Sequence, residues 1–569
     1  MGLPAITYRG LEGQSGGTVS PYNSIAEAVL SFGSAYTVLV IPPGVWPITA
    51  NLAIPANITL KPLPGAFITI STGVTVTHYG LIEAGYQNIF VCSGTGKVVF
   101  VFQGVVYAEW FGAVRNDPTN DTGIAVNLCI ASLPNGGEIQ FWPGTYYFAT
   151  KVSTRTNIKY RVFDGMAAGS TVFRRTANIT LIEGIGVSIL DPAFNMNQIY
   201  RNSFKGIAFG HYDDDSYTAN LLDFRACMNF SFKDCLFTAR NSRALFAREL
   251  FDSRFRDCYF VWSGKADGGV PVVELMSSNT TYETVNNIYW DGCVFESNLF
   301  TCIKTSGDVS GYPTNQISFN NTKFDNTHLT GPTLDFLNTW GVEFNATWIT
   351  VQRNVAITEL VKFDKCTNIK GRPHLQITPV GSAAIDRIMT INTDGGNSPC
   401  TVDLYLSGIN WNAITEAAAV KIDHALQAPK INIRTFGPTP GDAGYLCSTK
   451  RLTNFPLVSE ALYGSSVQTY APAGGTDDWM EVCTHALASG GPDVWVKQVV
   501  EAEASSYIEW MLNGVPIFRV HYNGTIQALV GDFMPVAAGK GVILLNAAGT
   551  VIKRVRLNDA GDGLIFEAL

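Results

Sequence analysis

Phe232-Lys-Asp-Cys235-Leu-Phe237, Phe255-Arg-Asp-Cys258-Tyr-Phe260 and Trp290-Asp-Gly-Cys293-Val-Phe295 are three versions of one six-residue phrase. Phe204-Lys-Gly-Ile-Ala-Phe209 precedes them, and Phe319-Asn-Asn-Thr322-Lys-Phe324 and Phe344-Asn-Ala-Thr347-Trp-Ile349 follow. The leading aromatics stand at 204, 232, 255, 290, 319 and 344, in steps of 28, 23, 35, 29 and 25 residues. An inexact repeat of this length marks a solenoid. Each phrase reads as two short strands meeting at a tight polar turn. Stacking the phrases puts Cys235, Cys258, Cys293, Thr322 and Thr347 in one column.

The register extends upstream. Leu222-Asp-Phe-Arg-Ala-Cys227 and Leu334-Asp-Phe-Leu-Asn-Thr339 each begin ten residues before a leading aromatic. Val361-Lys-Phe-Asp-Lys-Cys366 and Val420-Lys-Ile-Asp-His-Ala425 share the pattern. Leucine-rich repeats would show fixed leucine spacing and constant length, and neither is present. Variable coil length with strand-sized apolar runs predicts an all-β, right-handed, single-stranded parallel β-helix, whose loops swell at a corner without disturbing the stack. At about 4.8 Å per coil, ~10 coils rise roughly 50 Å.

Composition agrees. The chain has 569 residues, 54 glycines, 12% aromatic and only 15% charged residues, which suits a turn-rich β protein that can exceed the length of one globular core. A net charge of −8 argues against nucleic acid as a partner. Lys205, Arg225, Lys233, Arg248, Arg254 and Arg256 form a local basic enrichment that reads first as solvated turn residues. Several of the 11 cysteines occupy the repeated Cys/Thr position, so the thiols are expected to be reduced. No CxxC pair points to zinc, and neither cofactor nor metal is expected. No apolar run is long enough to span a membrane. Met1 to Arg9 lacks the order of a secretory signal, which predicts synthesis in a cytoplasm.

Five segments follow. Residues 1–20 read as a flexible arm or docking peptide. Residues 21–108 form a β-rich N-terminal domain with a short helix, SIAEAVLSF, from Ser24 to Phe32. A second helix is expected from Thr122 to Ser132, ahead of the strand Glu138-Ile-Gln-Phe-Trp-Pro-Gly144; each helix would cap an open coil end. The β-helix is placed at 109–450. Alternating strands with Asn513-Gly514 and Asn523-Gly524 turns suggest a β-sandwich over 451–535. The last segment, 536–569, reads as a terminal β-hairpin too apolar to stand alone, and hence as the strands of a homotrimer.

Four stretches together resemble the pectate-lyase-like β-helix proteins of bacteriophage tails. They are Ile82-Glu-Ala-Gly-Tyr-Gln-Asn-Ile-Phe90, Glu109-Trp-Phe-Gly-Ala113, the Asp117–Asp121 turn before the second helix, and Ile139-Gln-Phe-Trp-Pro-Gly-Thr-Tyr146. Where that family has Gly-Asp-Gly after the second stretch, this chain has Arg115-Asn-Asp-Pro-Thr119. The terminal strands are similar to the trimer-forming ends of tail fibres. The resemblance implies a homotrimeric tailspike in the virion tail, released on lysis. It implies docking through the N-terminus to a tail or baseplate protein, and binding of host lipopolysaccharide or capsule with depolymerase activity. A glycan-binding adhesin that does not cut, and a free bacterial polysaccharide lyase, remain as alternatives.

Glycan hydrolysis needs two carboxyl groups across one bond. Candidates near turns are Glu249, Asp252, Glu274, Glu283, Glu296, Asp325 and Asp335. Glu249, Asp252, Glu274 and Glu296 rank first as catalytic residues, because they fall in the longest coils beside Tyr259, Trp262, Tyr282 and Trp290. Aromatic faces stack on the C–H faces of sugars, so Tyr259, Trp262 and Tyr282, with Arg248, are the candidate substrate-binding residues. Trp290 occupies a core position of the repeat. Asp213-Asp-Asp215 reads as a solvated loop.

Overall fold

The structure, a computed structural model, describes residues 22–393 apart from 155–160, 168, 186–201, 214–215, 278–284, 308–312, 327–330, 354–356 and 380–384. It also describes the strand Thr7–Gly10 and, beyond residue 400, strand backbones only. The chain divides into two compact units, Met1–Ile431 with Pro440–Lys450 and Asn432–Thr439 with Arg451–Leu569.

The first unit is a parallel β-helix. Each strand pairs in parallel with the strand one coil earlier, and each coil contributes to three sheets. The first sheet runs through Arg161–Asp164, Asn202–Lys205, Ser231–Lys233 and the end of Leu245–Arg256. The second runs through Thr171–Arg175, Ala208–Phe209, Leu236–Arg240, Tyr259–Gly264, Val294–Glu296 and Lys323–Asn326. The third stacks Leu222–Met228, the start of Leu245–Arg256, Val273–Ser277, Ile303–Gly307 and Leu334–Leu337. In this sheet Leu222, Leu245, Val273, Ile303, Leu334, Val361, Met389 and Val420 share one register position. The upstream sequence pattern is therefore the third face of the coil.

Side chains alternate inward and outward with the strand period of two. Phe204, Phe232, Phe255, Trp290, Phe319 and Phe344 all point inward and are at most 1% exposed. Rings stack face to face from coil to coil, at 4.8 Å for Phe204–Phe232 and 4.9 Å for Phe232–Phe255. A second ladder, Phe209, Phe237, Phe260, Phe295 and Phe324, lines the adjacent sheet at 4.5–5.2 Å.

The turn inside each phrase has one physical requirement. Gly206, Asp234, Asp257, Gly292, Asn321 and Ala346 all have φ between 48° and 64°. Glycine, Asn and Asp tolerate that left-handed conformation; alanine does not. Ala346→Asn should therefore stabilise the protein by about 0.5–1 kcal/mol. A higher denaturant midpoint measures the gain, and a lower one would contradict this account of the turn.

The following Cys or Thr has a role beyond its size. Cys235, Cys293, Thr322 and Thr347 donate to the carbonyl of the leading aromatic one coil earlier, at 3.5, 3.4, 2.8 and 3.3 Å. Cysteine and threonine alternate here because both are small donors. These thiols are free, and burial pushes those of Cys235 and Cys258 well above the usual range.

The solenoid pattern is also present ahead of residue 109. Thr37–Ile41 pairs with Ile58–Pro62, Gly44–Ile48 with Ala66–Ile70, and Leu52–Ile54 with Thr75–His78, all parallel. The first helix, Ile25–Phe32, is capped by Ser24, whose hydroxyl accepts from the Glu27 amide at 3.1 Å; Glu27 returns a bond to the Asn23 amide at 2.9 Å. The second helix, Thr122–Ser132, is capped by Asp121. That carboxylate also accepts from the Ala149 and Thr150 amides at 3.0 and 3.1 Å, tying helix to coil. Where the tail-protein pattern has glycine, Asn116 takes φ 58° and accepts from the Thr145 amide at 2.9 Å.

His78 is buried in these N-terminal coils against Phe100, with both ring nitrogens unpartnered. Burial lowers its pKa to about 4. The unfolded imidazole protonates near pH 6.5, whereas the folded one resists until about pH 4. Stability is therefore full above pH 6.5, falls as pH drops through that window and levels off below it, with a loss on the order of 3 kcal/mol. His78→Leu should flatten this acid slope in thermal melts, and an unchanged slope would place the sensitivity elsewhere.

The second unit is largely antiparallel, with one parallel pair, Leu457–Ala461 against Asp477–Thr484. Asp477–Thr484, Val494–Glu501, Tyr507–Leu512, Val515–His521 and Ile526–Ala528 pair in sequence as a meander. The Asn513-Gly514 and Asn523-Gly524 turns and the packing expected of a sandwich lie outside the described residues. The terminal segment differs from a hairpin. Val542–Leu545 and Val551–Leu557 are joined by a third strand, Leu564–Glu567. That strand is only four residues long and follows a Gly-rich connection, so its apolar pattern is brief.

Candidate functional site

The outer face of the second sheet carries an open cleft of about 490 Å³. Val172, Leu236 and Val261 form its apolar floor, with His211, Tyr212, Arg240 and Trp262 around it. The register slips between Thr238 and Arg240, so that the Tyr259–Gly264 strand holds an extra residue. Trp262 occupies this bulge with φ 49° and is 42% exposed. Bulges re-aim side chains in this way, and a tryptophan held left-handed costs about 1–2 kcal/mol that regular pairing would avoid.

Beyond Trp262 the same face becomes acidic. Glu296 is the register partner of Val261 one coil on, and Asp325 follows Glu296 on the next. Their backbones are thus one coil apart, about 4.8 Å. Glu296 is exposed, and no ion pair to it occurs among the described residues. Asp325 pairs with Lys323 at 2.6 Å. Tyr259 lies ahead of the pair and Trp348 beyond it, 49% and 45% exposed. Trp348 stacks on His374 at 4.0 Å, and burial lowers the pKa of that imidazole. The arrangement places exposed rings on both sides of two carboxylates.

Of the residues expected from sequence, the structure brings Tyr259, Trp262 and Glu296 together on this sheet. Arg248, Glu249 and Glu274 belong to the third sheet. Glu249 is 2% exposed with φ 56°. Arg248 is half-buried, with Nη2 3.5 Å from Met276 Sδ. Glu274 is held by Arg243 Nε at 2.5 Å and by the Ser306 hydroxyl at 2.6 Å. Asp252 sits at the corner between the third and first sheets with φ 48° and accepts from Asn287 Nδ2 at 2.8 Å. Asn229, Asn287 and Gln316 hold the same left-handed turn on neighbouring coils. Tyr282, Glu283, Asp214 and Asp215 lie outside the described residues. Asp213 pairs with His211 Nδ1 at 3.3 Å and Arg174 at 3.7 Å.

Asp335 shares a third-sheet column with Glu274, two coils away through Lys304. Burial pushes its carboxyl above the usual range, against the pull of Lys362 and Lys304. Among the described residues no group of three or more His, Cys, Asp or Glu is placed to hold a metal ion, and no helix is long and apolar enough to cross a membrane.

No protein-family model matches the chain, and no curated protein sequence does. Its structural neighbours are phage tailspikes and other parallel β-helix proteins. It is similar to ORF18 of Geobacillus virus E2, with TM-score 0.45 and 12% identity over 82% of this chain and 86% of that one. The tailspike protein of Acinetobacter phage vB_ApiP_P1 gives TM-score 0.39 and 13% identity over 82% and 84%. The A-module of mannuronan C-5 epimerase AlgE6 from Azotobacter vinelandii gives TM-score 0.33 and 12% identity over 58% and 100%.

Proposed function

We propose that the chain is the receptor-binding spike of a bacteriophage tail, which binds host cell-surface polysaccharide along its second sheet and hydrolyses it there. The observation that carries the chemistry is the single-sheet alignment of Tyr259, Trp262 and Trp348 with Glu296 and Asp325 on adjacent coils. Adjacent-coil spacing fits the roughly 5–5.5 Å of a retaining glycosidase pair better than the roughly 6.5–9.5 Å of an inverting one. The virion reading is supported by the tail-protein stretches at 82–90, 109–113 and 139–146. In this reading the N-terminus docks to a tail or baseplate protein and a homotrimer is held chiefly by residues 460–569. Truncation after residue 455 should then give monomers or aggregates in light scattering; a truncated protein that stays trimeric would move the interface to the β-helix.

The test of function is incubation with lipopolysaccharide or capsule from candidate hosts. New reducing ends without unsaturated uronates are expected from hydrolysis. Unsaturated uronates would make the protein a lyase, and binding without cleavage would make it an adhesin. Trp262→Ala and Trp348→Ala should each weaken binding; equal binding by both would remove the second sheet from the site.

A further inference from the structure

The first sheet carries a different surface, on another side of the coil. Lys205, Lys233 and Arg256 are register partners on three successive coils, and all three are exposed. Arg254 stands in the adjacent outward column, above Ser231 and Ser203. Lys233, Arg254 and Arg256 border a polar cleft of about 520 Å³ whose remaining lining includes Asn202, Asn229 and Tyr289; Lys205 lies outside it.

Like charges directly opposite one another destabilise a sheet, whereas a column that alternates sign gains from each pair. This column does so at its ends, with Asp164 before Lys205 and Asp291 after Arg256. Between those ends it runs three cations together. Their intramolecular neutralisation is uneven. Lys205 meets Asp164 at 3.0 Å, Lys233 meets Asp234 only at 3.8 Å, and Arg254 takes Asp291 at 3.0 Å while lying 5.1 Å over the Tyr289 ring. Arg256 has no ion pair among the described residues. The one acid in the cleft, Asp252, is engaged by Asn287. The geometry leaves Lys233 and Arg256 as the least neutralised cations, on successive coils beside Arg254, over a floor of hydroxyls and amides.

We propose that this face is a second glycan-binding site, specific for acidic polysaccharide whose carboxylate or phosphate substituents meet Lys233, Arg254 and Arg256. It rests on the reading of the chain as a glycan binder, but not on the second-sheet groove or on cleavage. Guanidinium forks bind carboxylate and phosphate through paired hydrogen bonds, and the serine and asparagine floor suits sugar hydroxyls. A nucleic acid is disfavoured. The basic track spans only a few coils of a chain with net charge −8, and of the two aromatics at the cleft Phe230 is buried and Tyr289 is covered by Arg254.

The experiment uses the full chain and calorimetric titration with four probes: oligogalacturonate, the same oligomer with its carboxyls reduced, a glycerol-phosphate teichoic polymer, and oligo(dT). Binding of oligogalacturonate or the teichoic polymer, weakened by salt, is expected; whichever binds identifies the anionic group. The carboxyl-reduced oligomer should bind at least about tenfold more weakly than its parent. The double variant Lys233→Gln/Arg256→Gln should lose about tenfold or more for the acidic probe, with an unchanged melting temperature. Trp262→Ala should leave that binding intact. Equal affinity for charged and reduced oligomers, or loss in Trp262→Ala but not in the double variant, overturns the first-sheet site while leaving the second-sheet groove standing. Tighter binding of oligo(dT) than of either acidic glycan also overturns it. If instead Trp262→Ala and Trp348→Ala leave host polysaccharide binding unchanged, the second-sheet groove fails and the first-sheet site is unaffected.

Discussion

Phe255→Ala is expected to destabilise the first unit by about 3–5 kcal/mol. The ring is fully buried and sandwiched in the interior ladder. It lies 4.9 Å from Phe232 with 2° between planes, and 4.2 Å from Trp290 with 10° between planes. It also meets the edge of Phe260 at 6.1 Å, so it joins two of the inner ladders. Removing it forfeits the transfer energy of the ring and leaves a void. The void cannot close by collapse, because the backbones on both sides are fixed by parallel hydrogen bonds in register with Ser231–Lys233 and Asn286–Asp291. A solenoid confines such a loss to the damaged coil and its neighbours. Denaturant unfolding followed by tryptophan fluorescence reads it, since Trp290 sits directly on the lost ring. Phe255→Leu, which refills part of the space, should cost less. A loss below about 1 kcal/mol for the alanine variant would contradict the ladder as the source of coil stability.

The six phrases were sufficient for the inner ladder because each demands the same things of its residues. The aromatic fills the inside; Gly, Asn or Asp takes the left-handed turn in five phrases and Ala346 in the last; and Cys235, Cys293, Thr322 and Thr347 close a bond to the coil before. The faces of the coil were harder to read. Glu249, Glu274 and Glu296 lie within one stretch of sequence, yet the structure puts the first two on the third sheet and the last on the second. The corners between sheets vary in length, so distance along the chain does not report which face a residue occupies. Position within the phrase does. Tyr259 and Trp348 are both the fifth residue of their phrases and both face outward on the second sheet. Glu296 and Asp325 both follow the last residue of successive phrases. Counting from the turn thus finds Trp348 and pairs Asp325 with Glu296. The bulge that turns Trp262 outward has no such signal, since its left-handed residue is a tryptophan. The third terminal strand, Leu564–Glu567, was missed for the opposite reason: it is too short for alternation to register.

Glu296→Gln should reduce depolymerisation by about 100-fold or more while leaving binding and oligomeric state unchanged. In the proposed groove the two carboxyls have unequal surroundings. Asp325 is anchored to Lys323 at 2.6 Å, which fixes its position; in the proposed reading it would attack the anomeric carbon or stabilise its developing charge. Glu296, exposed on the neighbouring coil, would in the same reading give a proton to the departing glycosidic oxygen and then take one from the attacking water. Glutamine keeps the shape and loses that proton. Asp325→Asn should be comparably inactive, since the pair works across one bond. Glu274→Gln should retain activity, because Arg243 and Ser306 already occupy its oxygens. Asp214→Asn should retain it as well, because the sequence reads Asp213-Asp-Asp215 as a solvated loop and not as a repeated strand position. The measurement is the rate of reducing-end formation on the natural host polysaccharide, after light scattering has confirmed that every variant assembles like the wild type. Full activity in Glu296→Gln together with loss in Asp335→Asn would shift the chemistry to the third sheet, where burial already raises the Asp335 carboxyl. Full activity in both would leave the cleft as a binding surface and place any cleavage between subunits.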